Sequence, residues 1–190
     1  MSFAEAVRTC LRKYVTFSGR ATRPEYWYFV LFNILGSIVL GIVDGIVFGA
    51  AEIETGPGSV SASSDGPLSS LFSLAMLLPM IAAGWRRMHD SGRSGIFLLY
   101  PFIAVIGTLT YAGFIGAFDF ADPFGAGIAA EQLEGLAGIV LVIALIVCVL
   151  SPLIVIWWLT RRTEPAANRW GPVPGTAPAA PSAPWTGGTG

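Results

Sequence analysis

The chain has 190 residues, of which 54% are hydrophobic and only 12% charged, with a formal net charge of −1. Soluble domains carry about 25% charged residues, so this composition is too poor in charge to clothe a water-facing surface. It excludes an ordinary soluble globular domain, argues against a nucleic-acid-binding face, and points to a membrane protein.

The N-terminal stretch "MSFAEAVRTCLRKYVTF" places Phe3, Val7, Cys10, Leu11 and Tyr14 on one helical face, with Arg8, Arg12 and Lys13 flanking it. That pattern predicts a cytoplasmic amphipathic segment over residues 1–21 lying on an anionic membrane surface. No apolar core followed by a small-residue cleavage site precedes Trp27, so the segment is not read as a signal peptide. Ser18 and Gly19 suit a turn. Thr22 and Glu25 have capping-box spacing with Pro24 in the first turn, so Thr22 is expected to start the first membrane helix.

Four apolar runs follow, each long enough for a bilayer that needs roughly 20 residues. They are Trp27 to Ala50, Leu68 to Trp85 (extended by Arg86 and Arg87), Ile96 to Phe118, and Leu136 to Leu159. Lipid cannot satisfy free backbone groups, and the runs lack the alternation of barrel strands. The expected fold is an all-α, four-transmembrane-helix bundle over residues 22–162. Tyr26, Trp27 and Tyr28 at one end, and Trp157 and Trp158 at another, are expected to form an aromatic belt. Pro79, Pro101 and Pro152 are expected to bend their spans. "AEIETGPGSVSASSDGP" reads as a flexible loop, and "DFADPFGAGIAAEQLEG" as an acidic connector. Residues 163–190, with many Pro and Gly and no apolar periodicity, read as a disordered tail, at least from Gly175 onward.

The charges are segregated. All eleven Lys and Arg lie in three segments: before the first span, between the second and third, and after the fourth. The two other loops hold only acidic charges. The positive-inside rule then makes both termini and the central loop cytoplasmic, in a bacterial inner membrane. The two cysteines, Cys10 and Cys148, fall on different levels and are not expected to pair. One histidine and no CxxC or HExxH spacing predict no metal site, and nothing implies a cofactor.

Three polar blocks stand out against this background: "FSGRATRPEYWYFVLFN" (Phe17 to Asn33), "LLPMIAAGWRRMHDSGRSG" (Leu77 to Gly95) and "NRWGPVP" (Asn168 to Pro174). Their order and spacing resemble the bacterial inner-membrane family catalogued as domain of unknown function 805. The matching residues are Gly19, Arg20, Arg23, Glu25, Trp27, Arg86, Arg87, His89, Asp90, Gly92, Ser94, Gly95, Asn168, Gly171 and Pro174. Met88 departs from the leucine common at that place. The resemblance implies the four-span architecture and supplies no reaction.

If the second helix continues through Asp90, Arg86 meets His89 and Asp90, and Arg87 meets Asp90, at three- and four-residue spacings. Gly92 would stop that helix and Ser94 would cap the next. One reading is a tight hairpin in which Asp90 pairs internally or with Arg20 or Arg23. Another is a binding site for an anionic lipid headgroup or a protein partner, built from Arg20, Arg23, Glu25, Trp27, Arg86, Arg87, His89, Asp90 and Asn168. A lipid-headgroup enzyme using His89 would need Asp90 or Glu25 as partner. Adjacent His89 and Asp90 do not face one another on a helix, and no nucleophile motif is present. The leading expectation is therefore a non-enzymatic membrane protein with membrane lipids as partners.

A small transporter or channel component is the alternative, resting on Asp44. That residue lies about 9 Å from the outer end of the first span. Its expected partner is polar: Thr108, Thr110, Tyr111 or water. Asn33 is expected to bond between helices. Ser37, Gly41, Gly45 and Gly49 form a small-residue stripe, expected to serve helix packing inside the bundle, with a homo-oligomer contact as the other possibility.

Overall fold

The computed structural model describes residues 1–49, 53–56, 59–62, 66–117 and 135–175. A short helix α1 (Phe3–Arg12) leads into α2 (Arg23–Phe48). A hairpin of β1 (Ile53–Gly56) and β2 (Ser59–Ala62) precedes α3 (Pro67–Asp90). A 3-10 turn (Gly95–Leu99) enters α4 (Tyr100–Phe114), and α5 (Gly135–Thr160) closes the order. The two strands pair antiparallel, Ile53 opposite Ala62 and Gly56 opposite Ser59, so the loop before α3, read as flexible, holds local order. The acidic connector lies outside the described residues.

Helix starts follow from local chemistry. Ser2 accepts from the Glu5 amide at 3.3 Å while the Glu5 carboxylate takes the Ser2 amide at 2.8 Å, a complete capping box. The Ser2 amide first, and the Ser2 hydroxyl second, hold the Glu5 carboxyl below its ordinary range. Thr22 caps α2 by accepting from the Glu25 amide at 3.3 Å. Pro101 does not bend a span. It sits in the first turn of α4, where its missing N–H costs nothing.

Among the described residues, four helices, counting the 3-10 turn with α4, are long and apolar enough to cross a membrane. They pack as two antiparallel hairpins, α2 with α3 and α4 with α5. Outward rows remain apolar: Ile34, Ile38, Ile42 and Ile46 are 51–79% exposed, a surface stable only in lipid. Within the first hairpin Gly36 lets the Phe72 ring approach so closely that a Cβ would collide with it. Within the second, Thr108 donates to the Ala144 carbonyl at 3.3 Å and Tyr111 to the Ala137 carbonyl at 3.0 Å.

Of the stripe of Ser37, Gly41, Gly45 and Gly49, the three glycines make no close contact inside the bundle. An added Cβ at Gly41, Gly45 or Gly49 would meet nothing within 4 Å, because the close approach to α3 is made by Gly36 and a ring. Asn33 likewise bonds within its own helix, donating to the Phe29 carbonyl at 2.7 Å.

The two hairpins meet chiefly at the end where α2 begins and α3 and α5 finish. An apolar core there joins Cys10 of α1, Tyr26 and Phe29 of α2, Ala83 and Met88 of α3, and Val155 and Leu159 of α5. Tyr26 thus turns inward rather than joining an aromatic belt. Residues Thr163–Gly175, read from sequence as the start of the tail, fold back onto this basic end. Residues 176–190 lie outside the described residues.

Candidate functional site

Arg20, Glu25, Arg86, Arg87 and Asp90 converge at the basic end, and none is more than 6% exposed. Buried charges are tolerated only when paired and hydrogen-bonded. The pairing is dense. Asp90 Oδ1 accepts from Arg20 Nε at 3.0 Å, and Asp90 Oδ2 accepts from Arg87 Nη1 and from Thr163 Oγ1. The rest of Arg20 is taken by backbone carbonyls of the returning segment, Ala166 at 2.8 Å and Glu164 at 2.6 Å. Arg87 donates to the Leu159 carbonyl at 2.9 Å and to that of Arg161, just beyond the end of α5. Asp90 is therefore the node that ties three chain segments together.

Arg86 turns the other way, to Glu25. The carboxylate that a capping box would have sent back to Thr22 crosses instead to α3, while the Arg86 carbonyl receives the Ala21 amide at 3.0 Å. Arg86 Nε and Nη2 are buried without a hydrogen-bond partner. Cys10 closes this side, its Sγ 3.8 Å from the Glu25 carbonyl. Burial first, and the Glu25 charge second, push its thiol up to about 11, so it stays protonated near neutral pH. Both cysteines are free.

Among the described residues, the His89 side chain is held by a carbonyl and two indoles. Its Nδ1 lies 3.1 Å from the Gly19 carbonyl, which fixes the proton on Nδ1. The ring stacks on Trp170 at 4.6 Å and meets Trp85 edge-on. Asn168 donates to the His89 carbonyl at 3.0 Å and to Glu164 at 2.7 Å. Arg23 stands apart from Asp90 and donates to the Arg161 carbonyl at 2.8 Å. Trp27 packs against the apolar core beside Tyr26, outside the ion pairs. Gly92, at φ +77°, ends α3, while Ser94 precedes the 3-10 turn without a side-chain cap bond. Among the described residues no His/Cys/Asp/Glu group could hold a metal ion.

Of the sequence-derived set, Arg20, Glu25, Arg86, Arg87 and Asp90 thus form a closed lattice with both carboxylates engaged, and Arg23 and Trp27 lie outside it. Beside it lies an open cleft of about 500 Å³ whose cations were used in the sequence only to assign topology. Arg93, Arg161 and Arg162 line it, with Thr163 and Glu164. None of these three arginines forms an ion pair among the described residues. Arg93 lies over Trp158 at 5.1 Å and Arg161 over Trp157 at 5.0 Å, so indole faces orient both guanidiniums. Burial, then the neighbouring charge of Arg161, lowers the proton affinity of Arg93. The signal that could have found the cleft is the run "WWLTRR" set against Arg93 across a helical hairpin.

Asp44, the transport candidate, meets none of Thr108, Thr110 or Tyr111. Its carboxylate caps α3 from across the hairpin, accepting the Leu68 amide at 3.1 Å, the Ser69 amide at 2.7 Å and the Ser69 hydroxyl at 2.7 Å. The N-cap position of α3 is Gly66, which offers no side chain, and a Cβ there would strike the Asp44 carboxyl. A carboxylate at a helix N-terminus is stabilised by the free amides and the dipole.

Comparison with known proteins gives one family and a small group of relatives. The family described as "Protein of unknown function (DUF805)" matches residues 14–125. The chain is similar to "Inner membrane protein YhaH" of Escherichia coli (strain K12), 37% identical over 99 residues, covering 52% of this chain and 74% of that protein. It is also similar to "Inner membrane protein YhaI" of the same strain, 37% identical over 99 residues, 52% of this chain and 72% of that one. No solved structure matches. The matched region contains the first two polar blocks. The third, from Asn168, lies beyond it yet packs directly on His89 and Arg20.

Proposed function

The chain belongs to the inner-membrane family DUF805, and from that premise we propose that it is a non-enzymatic membrane protein that holds an anionic lipid headgroup at its basic end. That end faces the cytoplasm, as the segregation of every Lys and Arg into three segments supports. The buried lattice of Arg20, Glu25, Arg86, Arg87 and Asp90 is the scaffold. The ligand site is the cleft of Arg93, Arg161 and Arg162.

One observation carries this reading: three arginines that form no ion pair among the described residues line one cleft, and two of them lie over Trp158 and Trp157. Guanidiniums so placed suit phosphate oxygens, and paired indoles suit the headgroup level. The transporter reading loses its motive because Asp44 is occupied as a cap, and His89 is held by a carbonyl and two indoles rather than by an acid.

Native mass spectrometry of the protein extracted with its lipids tests the proposal. The wild type is expected to retain an anionic phospholipid that an Arg161→Gln, Arg162→Gln variant releases. Equal lipid in both proteins refutes it. Release by added inorganic phosphate would identify a soluble phosphate, not a headgroup, as the ligand.

A further inference from the structure

We propose that the groove between α1 and α2 seats one acyl chain of an anionic phospholipid, with Arg8 and Arg12 on its phosphate. This site is separate from the cleft and does not depend on it. Helix α1 buries Ala6 and Cys10 against the bundle. Its longer apolar side chains point elsewhere: Phe3, Val7 and Leu11, four residues apart, form a second row beside the buried one. Phe3 and Leu11 remain 40% and 37% exposed. With Phe32 of α2 this row lines an apolar groove of about 600 Å³. Pockets that take small ligands span roughly 300–1,000 Å³.

The next row of α1 is basic. Arg8 and Arg12 line the groove on that side, and neither forms an ion pair among the described residues. Their stems can lie along the apolar wall while the guanidiniums reach the headgroup level. The far wall is deeper: Phe32 lies nine residues after Arg23, about 14 Å along the helix axis. The groove therefore joins a phosphate-binding rim to hydrocarbon depth. An apolar bore with an anion-binding rim is the complement of a phospholipid, and charge complementarity selects an anionic headgroup over a zwitterionic one.

The full chain in phosphatidylcholine vesicles, doped with phosphatidylglycerol carrying a diazirine on one acyl chain, provides the test. Light-induced adducts are expected to concentrate on Phe3, Val7, Leu11 and Phe32. The lipid fraction giving half-maximal labelling should rise roughly 30-fold in Arg8→Gln, Arg12→Gln, on the scale of two interfacial cations. Val7→Trp, which fills the groove, should abolish this labelling while adducts at Ile38 and Ile42 persist. Labelling at the groove no stronger than at Ile38 and Ile42, or unchanged in both variants, overturns the proposal. So does equal labelling from diazirine phosphatidylcholine, and so does protection of the groove by a second copy of the chain.

Discussion

Glu25 and Arg86 show how one residue serves two scales. From the sequence, Glu25 is the acidic member of a capping box, three residues after Thr22, and half of that box exists, since Thr22 takes its amide. Its carboxylate instead neutralises Arg86, 61 residues away. The local use was legible because both members sit in one turn. The distant use was not, because nothing near Glu25 distinguishes a capping carboxylate from a counter-ion. Removing one partner of a buried pair costs about 3–5 kcal/mol. Glu25→Gln is accordingly expected to lower unfolding stability by about that amount, read by tryptophan fluorescence during denaturant titration in detergent. Replacing both partners, in Glu25→Gln with Arg86→Met, should restore most of the loss, since it also removes the two unpartnered Arg86 donors. A single variant as stable as the wild type would remove the lattice from the account of the fold.

At the scale of elements, the helices were legible and their neighbours were not. Composition alone marks the apolar runs, because a chain in lipid must be helical wherever it is long and uncharged. Which face meets which partner depends on a few atoms. The small-residue stripe of α2 was expected to pack inside the bundle, yet Gly36 outside it makes the close approach to α3. The alternative transport reading rested on Asp44, yet that residue supplies the cap that Gly66 lacks. Asp44→Ala is therefore expected to destabilise α3 by about 1–2 kcal/mol, the usual cost of losing a cap with its charge. Asp44→Asn, which keeps an acceptor oxygen, should recover most of it in the same unfolding measurement. An asparagine variant as damaged as the alanine one would show that the carboxylate charge, rather than its acceptor geometry, is required.

For the whole molecule, the charges predict a topology with both termini on the cytoplasmic side. A green fluorescent protein fused after Gly190 should fluoresce in cells, while alkaline phosphatase at the same place should be inactive. The opposite pair of results would invert the molecule. The sequence placed Asn168 with the basic-end set, but the return of the stretch before it, Thr163–Ala166, was hidden for a physical reason. Its carbonyls at Glu164 and Ala166, not its side chains, accept from Arg20, and backbone acceptors leave no mark on composition or periodicity. That return also imposes an order in time. Arg20 leaves the ribosome 144 residues before Glu164, an interval of about 7–30 s at ordinary elongation rates. Until then Asp90 lacks both Thr163 and the Glu164 amide, and Arg20 lacks its carbonyls. Closure of the basic end thus comes after α5 in biogenesis: the earlier spans wait in the bilayer for Thr163–Ala166 to lock them.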